Sequence, residues 1–301
     1  MGYRELNAVD ELLRNSALDL GGEVKEQRRI FEEMIGAAPL PADVIATAGS
    51  LGGVPVVTVD IAGAGADEAV LYFHGGAYAV GTAASSAGLA SGLGRHAGIR
   101  VVSVDYRLAP EHPFPAALED GVAAYRALLD GGLAPARVAI AGESAGAGLA
   151  AATLAALKSQ GLAQPAAAVL MSPWADLTLT GASVTGKAAA DPALTGAGLA
   201  RRARDYAGGH DLADARISPV FGDLAGLPPL LIQAGSHEIL LDDAIRLAAR
   251  AATADVPVTL EVTAGAPHVF QGFAAILPEG DAALARAGAF LRSQLRATAL
   301  L

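Results

Sequence analysis

Apolar positions fall at helical spacing in the first 45 residues and in short continuous runs thereafter. Leu6, Val9, Leu12 and Leu13 recur three and four residues apart, which predicts an amphipathic helix over Glu5 to Leu13. Gly21-Gly22 interrupts the pattern, and Val24 to Ile35 resumes it with Ile30, Phe31, Met34 and Ile35. From about Val44, runs rich in Val, Ile and Leu alternate with longer Ala/Leu-rich stretches of helical length. The runs are Val54–Ile61, Ala69–Phe73, Arg100–Asp105, Arg137–Ala141, Ala166–Ser172, Pro229–Ala234 and Val256–Thr263. Most are nearly continuous in apolar residues, as strands buried on both faces require. Their alternation with helical stretches predicts an α/β fold: a mainly parallel sheet with helices on both faces.

Asp176 to Arg216 breaks this rhythm. It is rich in Gly, Ala, Thr and Asp, contains Asp191-Pro192, and holds a helical piece around Leu199 to Tyr206. A segment of that length between two strands reads as a lid or cap over a site. The expected organisation is one domain carrying a cap. Helices over 1–45 form part of the cap, 46–175 is the first part of the core, 176–216 is the cap insertion, and 217–301 completes the core.

The 301 residues suffice for a core that needs no disulfide or metal staple. Apolar residues make up 52% of the chain, but much of this is alanine, a helix former that does not imply membrane. The longest apolar stretch, Ala145 to Leu157, falls short of the roughly 20 residues of a spanning helix. Met1-Gly2-Tyr3-Arg4-Glu5-Leu6 leads directly into a charged amphipathic pattern without an apolar signal core, so the expected location is cytoplasmic, with no membrane anchor. Cysteine is absent, which excludes disulfides, thiolate metal sites and cysteine nucleophiles. A net charge of −10 repels phosphate backbones, so neither nucleic acid nor an anionic membrane is an expected partner.

The chemistry lies at two turns. After Arg137-Val138-Ala139-Ile140-Ala141 comes Gly142-Glu143-Ser144-Ala145-Gly146, then the helical stretch Ala147 to Leu157. This is G-x-S-x-G between a strand and a helix. There the glycines allow close backbone approach and the serine hydroxyl is exposed on a strained turn, above a helix N-terminus. The second turn is His74-Gly75-Gly76-Ala77, directly after Val70-Leu71-Tyr72-Phe73. A nucleophilic serine needs N–H donors aimed at a tetrahedral oxyanion, and Gly75, Gly76 and Ala145 are the natural trio. An ordinary turn explains the glycines, but not their position about 70 residues before a nucleophile elbow.

These segments resemble the hormone-sensitive lipase-like, HGG-motif bacterial esterases of the α/β-hydrolase superfamily. The resemblance rests on His74 to Tyr78, on Asp105-Tyr106-Arg107-Leu108-Ala109-Pro110-Glu111-His112-Pro113-Phe114-Pro115-Ala116, and on Gly142 to Gly146. Ser172-Pro173-Trp174-Ala175-Asp176 and Gly235-Ser236-His237-Glu238-Ile239-Leu240 are also similar. It implies an α/β-hydrolase fold whose cap combines the N-terminus with an insertion, and a brace for the oxyanion loop at Asp105, Glu111 and His112. There are two departures. Ala77 stands where the family often has a third glycine, which narrows the space around the oxyanion loop or the acyl group. Glu143 stands where Asp or Thr is more usual, and reads as a structural residue orienting the elbow, outside the triad.

In this fold the partners follow in the order serine, acid, histidine. That order removes His74, His96 and His112 as general base; His210 lies in the cap and His237 comes too early. His268, in Gly265-Ala266-Pro267-His268 after the last predicted strand, is the expected base. Three carboxylates are candidates for the acid: Glu238, and Asp242 and Asp243 near a helix start, where acidic residues also simply stabilise. The resemblance aligns the triad acid with Glu238, where Asp is commoner.

The expected activity is hydrolysis of short- to medium-chain acyl esters by Ser144, His268 and Glu238 through an acyl-enzyme. Ala77 and Trp174 are expected in an apolar substrate pocket. Lactone or amide cleavage by the same groups, and a non-catalytic binding role, are the alternatives. The expected partner is a small ester, with no cofactor and no metal. Gly146-Ala147-Gly148-Leu149-Ala150-Ala151 formally matches G-x-G-x-x-A, but it starts beyond the elbow, inside a helix, where it cannot wrap a pyrophosphate. The oligomeric state is open, a homodimer included.

Overall fold

The apolar runs beyond Val44 assemble into one eight-stranded sheet, in a computed structural model that describes residues 3–35 and 39–297. Met1, Gly2, positions 36–38 and the last four positions, which fall in the predicted N-terminal and C-terminal segments, lie outside the described residues. The strands are β1 (Val44–Leu51), β2 (Val54–Ile61), β3 (Gly65–Phe73), β4 (Ile99–Val104), β5 (Val138–Glu143), β6 (Ala167–Met171), β7 (Leu230–His237) and β8 (Val258–Pro267). They lie in the order β1-β2-β4-β3-β5-β6-β7-β8. The β1–β2 and β2–β4 pairs are antiparallel and all others parallel.

The helices are α1 (Tyr3–Arg14), α2 (Val24–Ile35), α3 (Ala87–Ala97), α4 (Ala116–Asp130), α5 (Ala145–Ser159), α6 (Ser183–Gly186), α7 (Gly196–Ala207), α8 (Leu241–Thr253) and α9 (Pro278–Ala297). Successive strand residues serve opposite faces. Val70 and Tyr72 of β3 pack with Leu93 of α3 and Leu284 and Leu291 of α9. Leu71 and Phe73 pack with Tyr125 of α4 and Leu149 and Leu154 of α5 on the other face. Both sets are fully buried, so each large side chain contributes about 2 kcal/mol of transfer free energy. This two-sided burial is why the central strands show no alternation in sequence.

One strand escapes the hydrophobic pattern. β1 exposes residues 45–50 and, after Ile45, carries only Ala, Thr, Gly and Ser there, so its sequence contains no long apolar run. Pairing with β2 through the Gly52-Gly53 turn, both glycines at positive φ, makes it a strand. Its place at the sheet edge removes the need for burial.

The parallel strands β3, β5, β6, β7 and β8 all end at one edge of the sheet. His74, Ser144, Ser172, Glu238 and His268 follow those ends directly. The crevice beyond the carboxyl ends of such strands is where open α/β sheets bind ligands. Three further elements come to this edge. Leu6 and Val9 of α1 join Ala266, Phe270 and Leu277 in a cluster flanking the His268 loop. Arg28 of α2 donates to Ala79 O at 2.8 Å and Ala109 O at 3.0 Å, and pairs with Glu111 at 2.6 Å. Tyr206 of α7, within the 176–216 segment, stacks on Tyr78 with centroids 3.8 Å apart. No helix among the described residues is long and apolar enough to cross a membrane.

Candidate active site

Ser144 sits between β5 and α5 with φ 56° and ψ −122°, a strained conformation for a non-glycine residue. The glycines on either side explain how so tight a turn closes. A Cβ on Gly142 would come 2.5 Å from Gly146 O, and one on Gly146 would come 2.1 Å from Phe73 O. Only glycine lets the start of α5 lie against the end of β3. Turned out of the strand in this way, Ser144 retains partial exposure although its neighbours are buried.

The Ser144 hydroxyl lies 2.8 Å from His268 Nε2, and His268 Nδ1 lies 2.5 Å from Glu238 Oε2. His268 follows Pro267, the last residue of β8, and Glu238 follows the end of β7, so adjacent strands deliver the two groups side by side. The other Glu238 oxygen accepts the Gly235 N–H at 3.0 Å. Burial pushes the Glu238 carboxyl above its ordinary value; His268 and the Ser172 hydroxyl oppose that rise and Asp191 adds to it. The hydrogen bonds to its ionised form are what make a fully buried carboxylate tolerable.

The neighbouring aspartates are engaged elsewhere. Asp243 Oδ2 accepts the N–H groups of Ala175 and Asp176, each at 2.8 Å, and burial pushes its carboxyl up to about 8. Asp242 Oδ2 accepts the Ser183 N–H at 2.9 Å. Among the other histidines, His96 meets Asp281 and His210 packs edge-on against Phe114. His74 is buried, stacked on Tyr106 with centroids 4.2 Å apart, and burial lowers it to about 4. It is therefore neutral at pH 7 and braces the turn, with Nδ1 2.7 Å from Gly75 O.

The oxyanion loop differs from the sequence expectation in one respect. The Gly75 N–H is not a free donor: it is given to Glu143 Oε1 at 2.8 Å. No acceptor among the described residues takes the N–H of Gly76, Ala77 or Ala145. Gly76 has φ 117°, and a Cβ there would come 2.1 Å from Val80 O, so this position tolerates glycine alone. Ala77 and Tyr78 follow at φ 53° and 60°. The strained stretch is held by the Tyr78–Tyr206 stack, by Arg28 on Ala79 O, and by Tyr106 Oη on His74 O at 2.7 Å. Of the predicted brace, Glu111 acts through Arg28, Asp105 accepts the Ala83 N–H at 2.9 Å, and the His112 backbone N–H bonds Leu108 O.

Trp174 does not line a pocket. It has no exposed surface, its Nε1 donates to Asp176 O, and its ring packs 6.0 Å from that of Tyr78. Ala77 is also buried. The expectation of a substrate pocket fails for both because loop position predicts proximity to the site, but not which way a side chain faces. The supporting residues Arg28, Asp191 and Tyr206 have no signal of a supporting role in the sequence. Ser172, at φ 47°, could have been flagged by its place at the end of β6, one strand from the elbow.

A mostly parallel eight-stranded sheet with a strained serine elbow after β5 defines an α/β-hydrolase. Residues 70–272 match the family described as alpha/beta hydrolase fold. An acetyl-hydrolase from Streptomyces hygroscopicus is 45% identical over 296 residues, covering 97% of this chain and 98% of the relative. An esterase from Acinetobacter venetianus is 40% identical over 232 residues, 76% of each chain. A crystal structure of an esterase from the bacterial hormone-sensitive lipase family superposes with a TM-score of 0.95 at 44% identity, over 98% of this chain and 99% of the other. The chain belongs to the alpha/beta hydrolase family and, within it, to the bacterial hormone-sensitive lipase-like group.

Proposed function

We propose that this protein is a serine carboxylesterase acting on short- to medium-chain acyl esters. His268 takes the proton of Ser144 as its oxygen attacks the ester carbonyl, and Glu238 holds the imidazole and stabilises its charged form. The tetrahedral oxyanion is received by the N–H groups of Gly76 and Ala145, with Gly75 shaping the loop. Collapse expels the alcohol, protonated by His268, and leaves an acyl-Ser144. Water deprotonated by His268 then attacks the acyl group, releasing the acid and restoring Ser144. Every proton passes through His268 and no cofactor enters.

The observation that carries this reading is the unbroken hydrogen-bonded chain from Ser144 through His268 to Glu238, at 2.8 and 2.5 Å. Relatives named as esterases and an acetyl-hydrolase support ester hydrolysis. The relative named an acetyl-hydrolase, 45% identical to this chain, supports a short acyl group. The helices over 1–45 and the 176–216 segment are read as the cap, since α1, α2 and α7 all come to the sheet edge that holds the site.

The test is hydrolysis of p-nitrophenyl acetate, butyrate, octanoate and palmitate by wild type and Ser144→Ala. Turnover of the shorter esters, falling toward palmitate and reduced by a factor of about 10⁴ or more in the variant, is the expected result. Equal rates in both proteins, or none in either, would overturn the reading.

A further inference from the structure

Glu238 is held from outside its own strand. The peptide that follows it is gripped on both sides by residues of the 176–216 segment, about fifty positions earlier in the chain. The Ile239 N–H is donated to Asp191 Oδ2 at 2.7 Å, and Ile239 O accepts the Ser183 hydroxyl at 2.7 Å. Ser183 Oγ also accepts the Asp242 N–H at 2.9 Å, and Asp242 Oδ2 takes the Ser183 N–H at 2.9 Å. The other oxygen of Asp191 accepts the N–H groups of Ala193 and Leu194, each at 2.8 Å. Asp191 and Ser183 are both buried, so these bonds form away from competing water.

A carboxylate at Asp191 needs a reason, because it is buried near Glu238 and the two like charges repel. Three N–H donors compensate it, one from the acid loop and two from its own turn. An apolar residue would avoid the repulsion but could not hold Ile239. Glutamate in the acid position makes such anchoring matter more. With one side-chain torsion more than aspartate, it has more freedom to lose, and its backbone must be fixed for the carboxylate to meet His268 at hydrogen-bonding distance.

We propose that Asp191, assisted by Ser183, is a positioning residue that fixes Glu238 against His268, so that the triad is complete only when the cap segment is seated. This rests on the esterase reading for its catalytic consequence, and on geometry alone for the contact. The charged groups that face Glu238 are His268, from the loop after β8, and Asp191. Loss of Asp191 therefore changes both the hold on the acid loop and the field at the carboxylate.

The experiment uses the full chain with Asp191→Ala, Asp191→Asn and Ser183→Ala. Asparagine keeps the size of Asp191 but offers one acceptor oxygen, so it cannot serve both Ile239 and the Ala193-Leu194 turn. With p-nitrophenyl butyrate, both Asp191 variants are expected to lose about 10- to 100-fold in kcat, as for a misplaced catalytic group, with KM changed by about twofold at most. Ser183→Ala, losing the two neutral hydrogen bonds of its hydroxyl, to Ile239 O and from the Asp242 N–H, is expected to lose about fivefold. The acid limb of the pH–rate profile should move to lower pH, because the imidazolium loses part of its carboxylate support. The far-downfield proton resonance of the short His268–Glu238 hydrogen bond, read without substrate, should move or broaden.

Folded Asp191 variants with wild-type kcat, acid limb and downfield resonance would overturn the proposal. So would lost activity with an unmoved resonance and limb, which marks general destabilisation. If Asp191→Ala does not fold, Asp191→Asn and Ser183→Ala carry the same readouts. Should wild type prove inactive on esters, the esterase reading fails while the resonance still tests the contact.

Discussion

Gly75 donates its backbone N–H to the side chain of Glu143 at 2.8 Å, tying the oxyanion loop to the residue immediately before the nucleophile. The same Glu143 oxygen also accepts the Ser86 hydroxyl at 3.2 Å. A Cβ on Gly75 would lie 3.2 Å from Glu143 Cγ and 3.3 Å from Ser144 Cβ, so loop and elbow are already in close contact. One carboxylate thus ties together the two turns that, in the proposed reaction, receive a single tetrahedral intermediate. Under the esterase reading proposed above, Glu143 is a positioning residue for the oxyanion loop and stands outside the proton relay.

Removing that tie should separate the two turns. Glu143→Ala is expected to lower kcat on p-nitrophenyl butyrate by about 10- to 100-fold with little change in KM, since a displaced oxyanion donor is felt mainly in the transition state. Glu143→Gln keeps an acceptor for Gly75 and Ser86 and should retain most activity. Steady-state kinetics of the two variants check this; equal losses would show that the charge, and not the hydrogen bond, is what matters.

Glu143 also makes stability depend on pH. Burial pushes its carboxyl from 4.5 up to about 7; the hydrogen bonds to Gly75 and Ser86 and the adjacent Tyr72 hydroxyl oppose this without cancelling it. A carboxyl whose pKa is raised on folding contributes stability that is fully present below about 4.5 and is lost as pH rises through about 7. Glutamine does not titrate. The stability of Glu143→Gln relative to wild type should therefore rise by about 3 kcal/mol between pH 4.5 and 8, read from urea midpoints across that range.

The elbow glycines make a third prediction. Gly146→Ala places a methyl 2.1 Å from Phe73 O and 2.4 Å from His74 O, both rigid backbone, so α5 must withdraw from β3. A cost of about 3 kcal/mol or more is expected, together with loss of activity as the elbow opens. Gly186→Ala, with nothing within 4 Å of the added methyl, is the matched control and should be near neutral. Thermal unfolding of the two variants tests the contrast.

Much of the fold was legible in the chain because burial on both faces writes itself into composition. The central strands β3, β5, β6 and β7 were readable as apolar runs, whereas β1 was not, since an exposed edge strand needs no apolar residues. Ser144 and the glycines around it were legible for a similar reason. A turn with φ 56° pressed against Phe73 O admits few sequences, so its constraint is local and leaves a local signature. His268 could be chosen from chain order and loop position.

What the sequence by itself determined is the set of local necessities: which segments are buried, where the chain must turn tightly, and which side chains can do the chemistry. The tertiary structure alone decided how those pieces are joined. Nothing near Gly75 marks its N–H as taken by Glu143, and nothing near Glu238 distinguishes its surroundings from those of Asp242 and Asp243 until the strands are laid side by side. Trp174 likewise looked available beside the site and is sealed beneath Tyr78. The physical reason is the same in each case. A hydrogen bond or a packing contact between residues far apart in the chain depends on the direction in which a side chain points, and that direction is fixed by the elements packed around it.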